Sequence, residues 1–305
     1  MNGFSNNTNL KESHLVLGGF VLLLAVFLCY AEILYKLAKH WVVDPNYSHG
    51  FLIPVLSGYL LWKKKETLIL TPISPSTWGI PLLMFGLVLL ILGKAGNIAF
   101  ATRFSFLVVL IGSFWLLLGT DTMKAVFFPI CYLIFMIPLP GIVYNDLTFR
   151  LRLFATILST KVISLTGIPV FREGNIMLLS ETSLQVIDAC SGMRSLMSLL
   201  ALGLLVAYLT QSTLWKRLCL TLLTIPIAIF SNVWRLSVTG ILSHFYGARV
   251  AEGFFHTYSG MVFFSVAFVL LFFCTVILKK IRSSESSPNS FKSDFLGQKA
   301  QGRGL

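Results

Sequence analysis

Charge is scarce in this chain. Asp, Glu, Lys and Arg make up only 12% of its 305 residues, against roughly 25% in a soluble domain. Hydrophobic residues make up 56%, and the mean hydropathy is +0.82. That composition excludes a water-soluble globule and indicates an integral membrane protein. Acidic residues are scarcer than basic ones, 12 against 24. The resulting +12 does not indicate nucleic acid, because the basic residues stand in short clusters between apolar runs, where they act as topology determinants. Paired cysteines are missing too. Cys29, Cys131, Cys190, Cys219 and Cys274 show no CxxC or metal-type spacing, and no His, Asp or Glu pair has ligand spacing, so neither a metal nor a cofactor is expected. No A-x-A-like cleavage site follows the first apolar run, Leu15–Ala31, which therefore reads as a retained anchor. No internal repeat is evident.

What is abundant is span-length apolar sequence. Segments of about the 20 residues needed to cross a bilayer fall at 15–35, 49–62, 78–94, 103–119, 124–142, 193–210, 217–243 and 258–278. The expectation is an all-α polytopic protein of about eight transmembrane helices. The second segment, FLIPVLSGYLLW, is short and reaches span length only with the polar YSHG before it. Lys63-Lys64-Lys65, Lys216-Arg217 and Lys279-Lys280 with Arg282 fall on one side only if that segment crosses. The side they share is then cytoplasmic, with both termini, and 143–192 faces outward.

Residues 143–166 mix apolar side chains with Arg150, Arg152 and Lys161, which predicts an outer interfacial helix. Residues 169–187 predict a small extracytoplasmic hairpin turning near Gly174. The organisation is thus a cytoplasmic segment over 1–14, a membrane domain over 15–280, and a disordered cytoplasmic tail over 281–305. Trp41, Trp62, Trp78 and Trp215 fall near predicted boundaries and read as interface anchors.

Four of the cysteines lie inside apolar runs, where a thiol is ordinarily a small hydrophobe. Cys190 differs: it sits in VIDACSGMRSL, at the seam between a polar stretch and the sixth segment. On the first turn of a helix a thiol is drawn toward the thiolate by unpaired amides and the positive dipole end. The amides near Ser191 and Gly192 are candidate oxyanion donors. Asp188 opposes thiolate formation, so cationic help is needed. Arg235 supplies a cation inside segment seven, where an ionisable residue marks a functional site by default, and Asn232 lies on its helical face. His256 immediately precedes segment eight. By parity all three reach the same outer depth. Singly, each has a bland role: an inert boundary cysteine, a snorkelling arginine, a histidine cap. Their coincidence favours a cysteine nucleophile.

The stretch DACSGMRSL, the later SNVWR and the histidine before the last span resemble the exosortase/archaeosortase family, as do YSHGFLIPVLSGYLLW, IPLPG and FREGN. The likeness covers about residues 40–275. It implies a membrane cysteine transpeptidase acting on exported proteins that end in a short motif such as Pro-Glu-Pro, a hydrophobic span and a basic tail. By matching position, Cys190 is the implied nucleophile, Arg235 the oxyanion or substrate-positioning residue and His256 the general acid/base. Unlike some family members, the chain is expected to carry no large soluble domain after the last span. The implied partners are those exported proteins, an acceptor nucleophile in or at the membrane, and membrane lipid; the implied place is the cell (inner) membrane.

Supporting residues are Arg194, four residues after Cys190 and either a binder of substrate acid or a partner of Asp188; Asn232; His49 and Tyr47, facing outward near substrate access or packing a helix start; and Glu252, four residues before His256. The alternatives are a membrane transporter or polysaccharide polymerase with an outward Arg/His site, and a structural membrane protein in which Arg235 merely pairs within the bundle. Neither requires Cys190.

Overall fold

The computed structural model describes residues 3–180, 183–186, 191–247 and 254–280, with the backbone alone described over 3–16 and 254–259. It is predominantly helical. The elements in order are α1 (Gly3–Val43), a 3-10 helix (Pro45–Phe51), α2 (Leu52–Lys63), α3 (Lys65–Leu70), α4 (Gly79–Ala95) and α5 (Ala99–Tyr132) with a further 3-10 turn over Leu133–Met136. There follow α6 (Gly141–Leu165), three strands, α7 (Met193–Thr210), α8 (Leu214–Tyr246) and α9 (Phe254–Lys280).

Among the described residues five helical stretches are long and apolar enough to cross a membrane: Leu17–Val43, Ala99–Met136, Met193–Thr210, Leu214–Tyr246 and Gly260–Lys280. The protein is therefore a multi-pass helical membrane protein, and the last three spans coincide closely with the predicted ones. The difference from eight lies in the first half. Predicted segment 103–119 and the 124–136 part of the next fall in one run of helix, α5 with its 3-10 turn, whose regular geometry breaks at Gly119 (φ 85°, ψ −179°). Its two arms fold back on each other. Tyr30 Oη bonds Ser105 Oγ at 2.9 Å and Trp41 Nε1 donates to Met136 O at 2.9 Å. Those α1 residues are about 17 Å apart along the helix, whereas Ser105 and Met136 would be about 46 Å apart on a straight one. The loop before α4 fills the break, and a Cβ on Gly119 would stand 1.8 Å from Ser74 O.

The remaining two predicted segments are shorter than a span. Segment 78–94 forms the 17-residue α4, and 49–62 the 12-residue α2 preceded by the 3-10 helix. Asp44 caps that 3-10 helix by accepting from Asn46 N at 2.9 Å, and the chain reverses there. α2 then runs against the second arm of α5: Ser57 Oγ donates to Pro129 O and Lys64 Nζ to Ala125 O. The 3-10 helix and α2 together thus lead from the Trp41 end of the bundle to the Lys64 end. Lys64 and Arg217 lie over the same Tyr208 ring, at 5.5 and 5.1 Å, and Gln211 donates to Thr275 O near the close of α9. The basic clusters at 63–65, 216–217 and 279–280 therefore gather at one end of the bundle.

At the opposite end α6 runs alongside the later half of α8: Ser159 Oγ donates to Val233 O, and Ile163 packs on Gly240. Its 25 residues are long enough for a span, but it is not among the helices apolar enough to be one. The expected hairpin is a three-stranded antiparallel meander, β1 (Val170–Glu173), β2 (Ile176–Leu179) and β3 (Ser183–Gln185), in order β1-β2-β3. Met177, Leu179 and Val186 point from it into a core with Ile163, Val233 and Leu236. The third strand went unpredicted because it is three residues of polar-rich sequence. Helix α1 begins at Gly3, so 1–14 is not set off from the first span by a helix break. Tail 281–305 lies outside the described residues. Trp62, Trp78 and Trp215 are exposed as anchors would be, but Trp41 is buried and hydrogen-bonded to Met136, a packing residue.

Candidate active site

The seam that precedes α7 is shaped by Gly192. Its φ of 84° is left-handed and ends the helix backward, so α7 opens at Met193, whose N–H is accepted by Ser191 Oγ at 3.2 Å. Helix α7 thus begins at Met193, with Gly192 at its cap. Cys190, on which the expected first-turn placement falls, lies outside the described residues, as do Asp188 and Glu252.

Gly192 rests against Asn232. A Cβ there would stand 2.9 Å from both Cγ and Nδ2 of Asn232. Asn232 is buried, and its Oδ1 accepts from Arg235 Nη2 at 2.8 Å, the (i, i+3) relation expected from the sequence. Arg235 is half-buried. A guanidinium is always charged, so this partner both offsets part of its desolvation and holds one edge of the fork in place. On its other side passes α9: Gly260 comes within 3.8 Å of Nη1, measured from a built Cβ, and Ser231 Oγ donates to Phe263 O at 2.6 Å. Position 256 lies one helical turn before Gly260 on the same face of α9. The side chain of His256 lies outside the described residues. Ser191, Gly192 and Asn232 also line a hollow of about 10 Å3, room for a single water, walled by Leu151 and Ala155 of α6.

The structure therefore brings Ser191–Gly192, Asn232, Arg235 and the first turns of α9 together, at the end of the bundle opposite the basic clusters. Arg194, Tyr47 and His49 form a neighbouring group. The expected placement of Arg194 relative to Cys190 falls on a residue outside the described ones. Arg194 is exposed, and its Nε donates to Asn46 Oδ1 at 3.3 Å, fastening α7 to the 3-10 helix. Tyr47, next in sequence, is buried between the rings of His40, His49 and Tyr144 at 5.4, 6.3 and 5.7 Å. Burial, with Tyr144 beside it, pushes the Tyr47 phenol up to about 12, so it is neutral at physiological pH. His49 is half-buried beside it. Sequence reasoning named Ser191 for its amide but missed Ser231 and Tyr144 as members of these groups. The SNVWR run offered Ser231 as the residue before Asn232, and nothing in the sequence marked Tyr144.

The fold and site define a multi-pass helical membrane protein with a polar, arginine-bearing cluster at one end of its bundle. More particularly, this chain belongs to the transmembrane exosortase family (Exosortase_EpsH), whose profile matches residues 41–273, a range containing every candidate residue named above. No curated protein and no solved structure matches it.

Proposed function

We propose that the protein is a membrane cysteine transpeptidase that cleaves the C-terminal sorting signal of exported proteins at the outer face of the cell membrane. The observation that carries this reading is the meeting of Gly192 with Asn232, Asn232 with Arg235, and Arg235 with Gly260. Three chain-distant segments meet here: the one adjoining Cys190, α8 with Asn232 and Arg235, and the one bearing His256. The positive-inside rule assigns the opposite, lysine-rich end to the cytoplasm, which turns this cluster outward.

In this reading the substrate's hydrophobic tail brings its scissile peptide bond to the outer boundary. The Cys190 thiolate adds to the carbonyl carbon, and Arg235 with backbone amides stabilises the oxyanion. The intermediate collapses as the C–N bond breaks, His256 protonates the departing amine, and a thioester remains on Cys190. His256, now neutral, takes the proton from an acceptor nucleophile, which attacks the thioester and releases the thiolate. Asn232 positions Arg235. Arg194, Tyr47 and His49 border the path by which the substrate reaches the thiol.

Co-expression with an exported reporter ending in Pro-Glu-Pro, a hydrophobic span and a basic tail tests this. Wild type is expected to shorten the reporter, and Cys190→Ala and Cys190→Ser, at matched membrane abundance, to leave it intact. Shortening that survives both substitutions contradicts the proposal. The mass of the new C-terminus identifies what accepted the acyl group.

A further inference from the structure

At the same end of the bundle as Arg235, but between α1, α4 and the first arm of α5, lies a groove of about 280 Å3 lined by Glu32, Lys36, Lys94, Asn97, Thr102 and Arg103. Three cations from three helices face it. Lys36 is held by Glu32 at 2.6 Å, and Lys94 complements the carbonyl end of α4. Arg103 has no such explanation. Its half-buried guanidinium makes no hydrogen bond or ion pair among the described residues, and it also lines a second cavity of about 530 Å3 on the Tyr47 side. Its nitrogens are not cut off from solvent, so their acceptors are supplied within these two cavities, by water or by a ligand that displaces it. Topology does not account for Arg103 either, because the positive-inside rule disfavours cations at this end.

The surface beneath the groove is apolar. Leu28 lies one turn below Glu32 on α1, Ile91 one turn below Lys94 on α4, and both are exposed. A ligand that fits both levels has an anionic head and a hydrocarbon body. We propose that this groove binds the phosphate headgroup of an anionic membrane lipid: Arg103 forks onto the phosphate oxygens, Lys94 and Lys36 complete the charge, and the acyl chains lie along Leu28 and Ile91. The site stands apart from Arg235 and does not depend on the transpeptidase reading.

Native mass spectrometry of the full chain, stripped of lipid and titrated with phosphatidylglycerol or phosphatidylcholine, tests it. Wild type is expected to retain phosphatidylglycerol in preference to phosphatidylcholine. The Arg103→Gln/Lys94→Gln pair is expected to lose that preference by roughly tenfold or more, while Arg103→Lys keeps most of it. Should the double variant fail to fold, Lys36→Gln/Lys94→Gln, both at exposed positions, reads the same loss. Equal retention in wild type and variants overturns the proposal. Displacement of the lipid by millimolar inorganic phosphate makes this a free-anion site, and displacement by a soluble acidic peptide makes it a peptide site; either result also overturns it.

Discussion

Gly192 carries two constraints at once: a left-handed backbone, and contact with Asn232 where a side chain would stand. Gly167 has the same φ of 84° but open space around it. Alanine at either position pays the backbone penalty of roughly 1–2 kcal/mol; only at 192 does it also push Asn232 off Arg235. Gly192→Ala is therefore expected to abolish reporter processing and Gly167→Ala to leave it largely intact, with both lowering the melting temperature. Equal processing in the two variants contradicts the coupling. Asn232→Ala removes the acceptor of a charged hydrogen bond, an interaction of about 1.5–3 kcal/mol, and is expected to lower processing at least about tenfold. A protein with processing unchanged would show that Arg235 does not need this partner. The Asn232–Arg235 pair was legible in the sequence because both residues sit inside one continuous helix, where spacing fixes geometry. Spacing fixes nothing comparable for the residues before Met193, because α7 opens only there, after a left-handed Gly192.

At the level of elements, the close packing of α4 on the first arm of α5 rests on glycine. Gly79, Gly86 and Gly93 are seven apart, and a Cβ on each would come within 2.4, 2.6 and 2.9 Å of the facing arm. Small residues let helix backbones approach where lipid supplies no hydrophobic drive. Gly86→Leu is expected to lower the melting temperature and folded yield strongly. Gly58→Leu, on the open face of α2, is expected to change neither. Similar losses at both would refute glycine-mediated packing. The predicted boundaries of α7 agree with the structure because its apolar run has a clear start and stop, whereas α2 and the third strand are too short to carry a period. That residues 143–165 form a helix was legible in the sequence. That it runs along α8 was not, because the contact is made through Ser159 and Gly240, residues that give no hydrophobic signal.

For the whole molecule the deciding feature is its polarity. Lysines 63–65, Arg217 and the close of α9 mark one end; Asp44, Tyr47, the strands and Arg235 mark the other. Under the proposed orientation an exposed residue such as Ser48 faces outward and Lys65 inward. Ser48→Cys is expected to react with a membrane-impermeant maleimide in intact cells, and Lys65→Cys only after the membrane is opened. The reverse pattern would turn the arginine cluster toward the cytoplasm and remove exported proteins as its substrates. The central chemical claim is most directly tested by trapping the acyl-enzyme: the protein is isolated from cells making the reporter, digested and mapped by mass spectrometry. The account predicts the reporter's exported portion joined to Cys190 through a bond that hydroxylamine releases, and no such adduct in Cys190→Ser. Processed reporter without any adduct at Cys190, or an adduct that resists hydroxylamine, would contradict a thioester on this thiol.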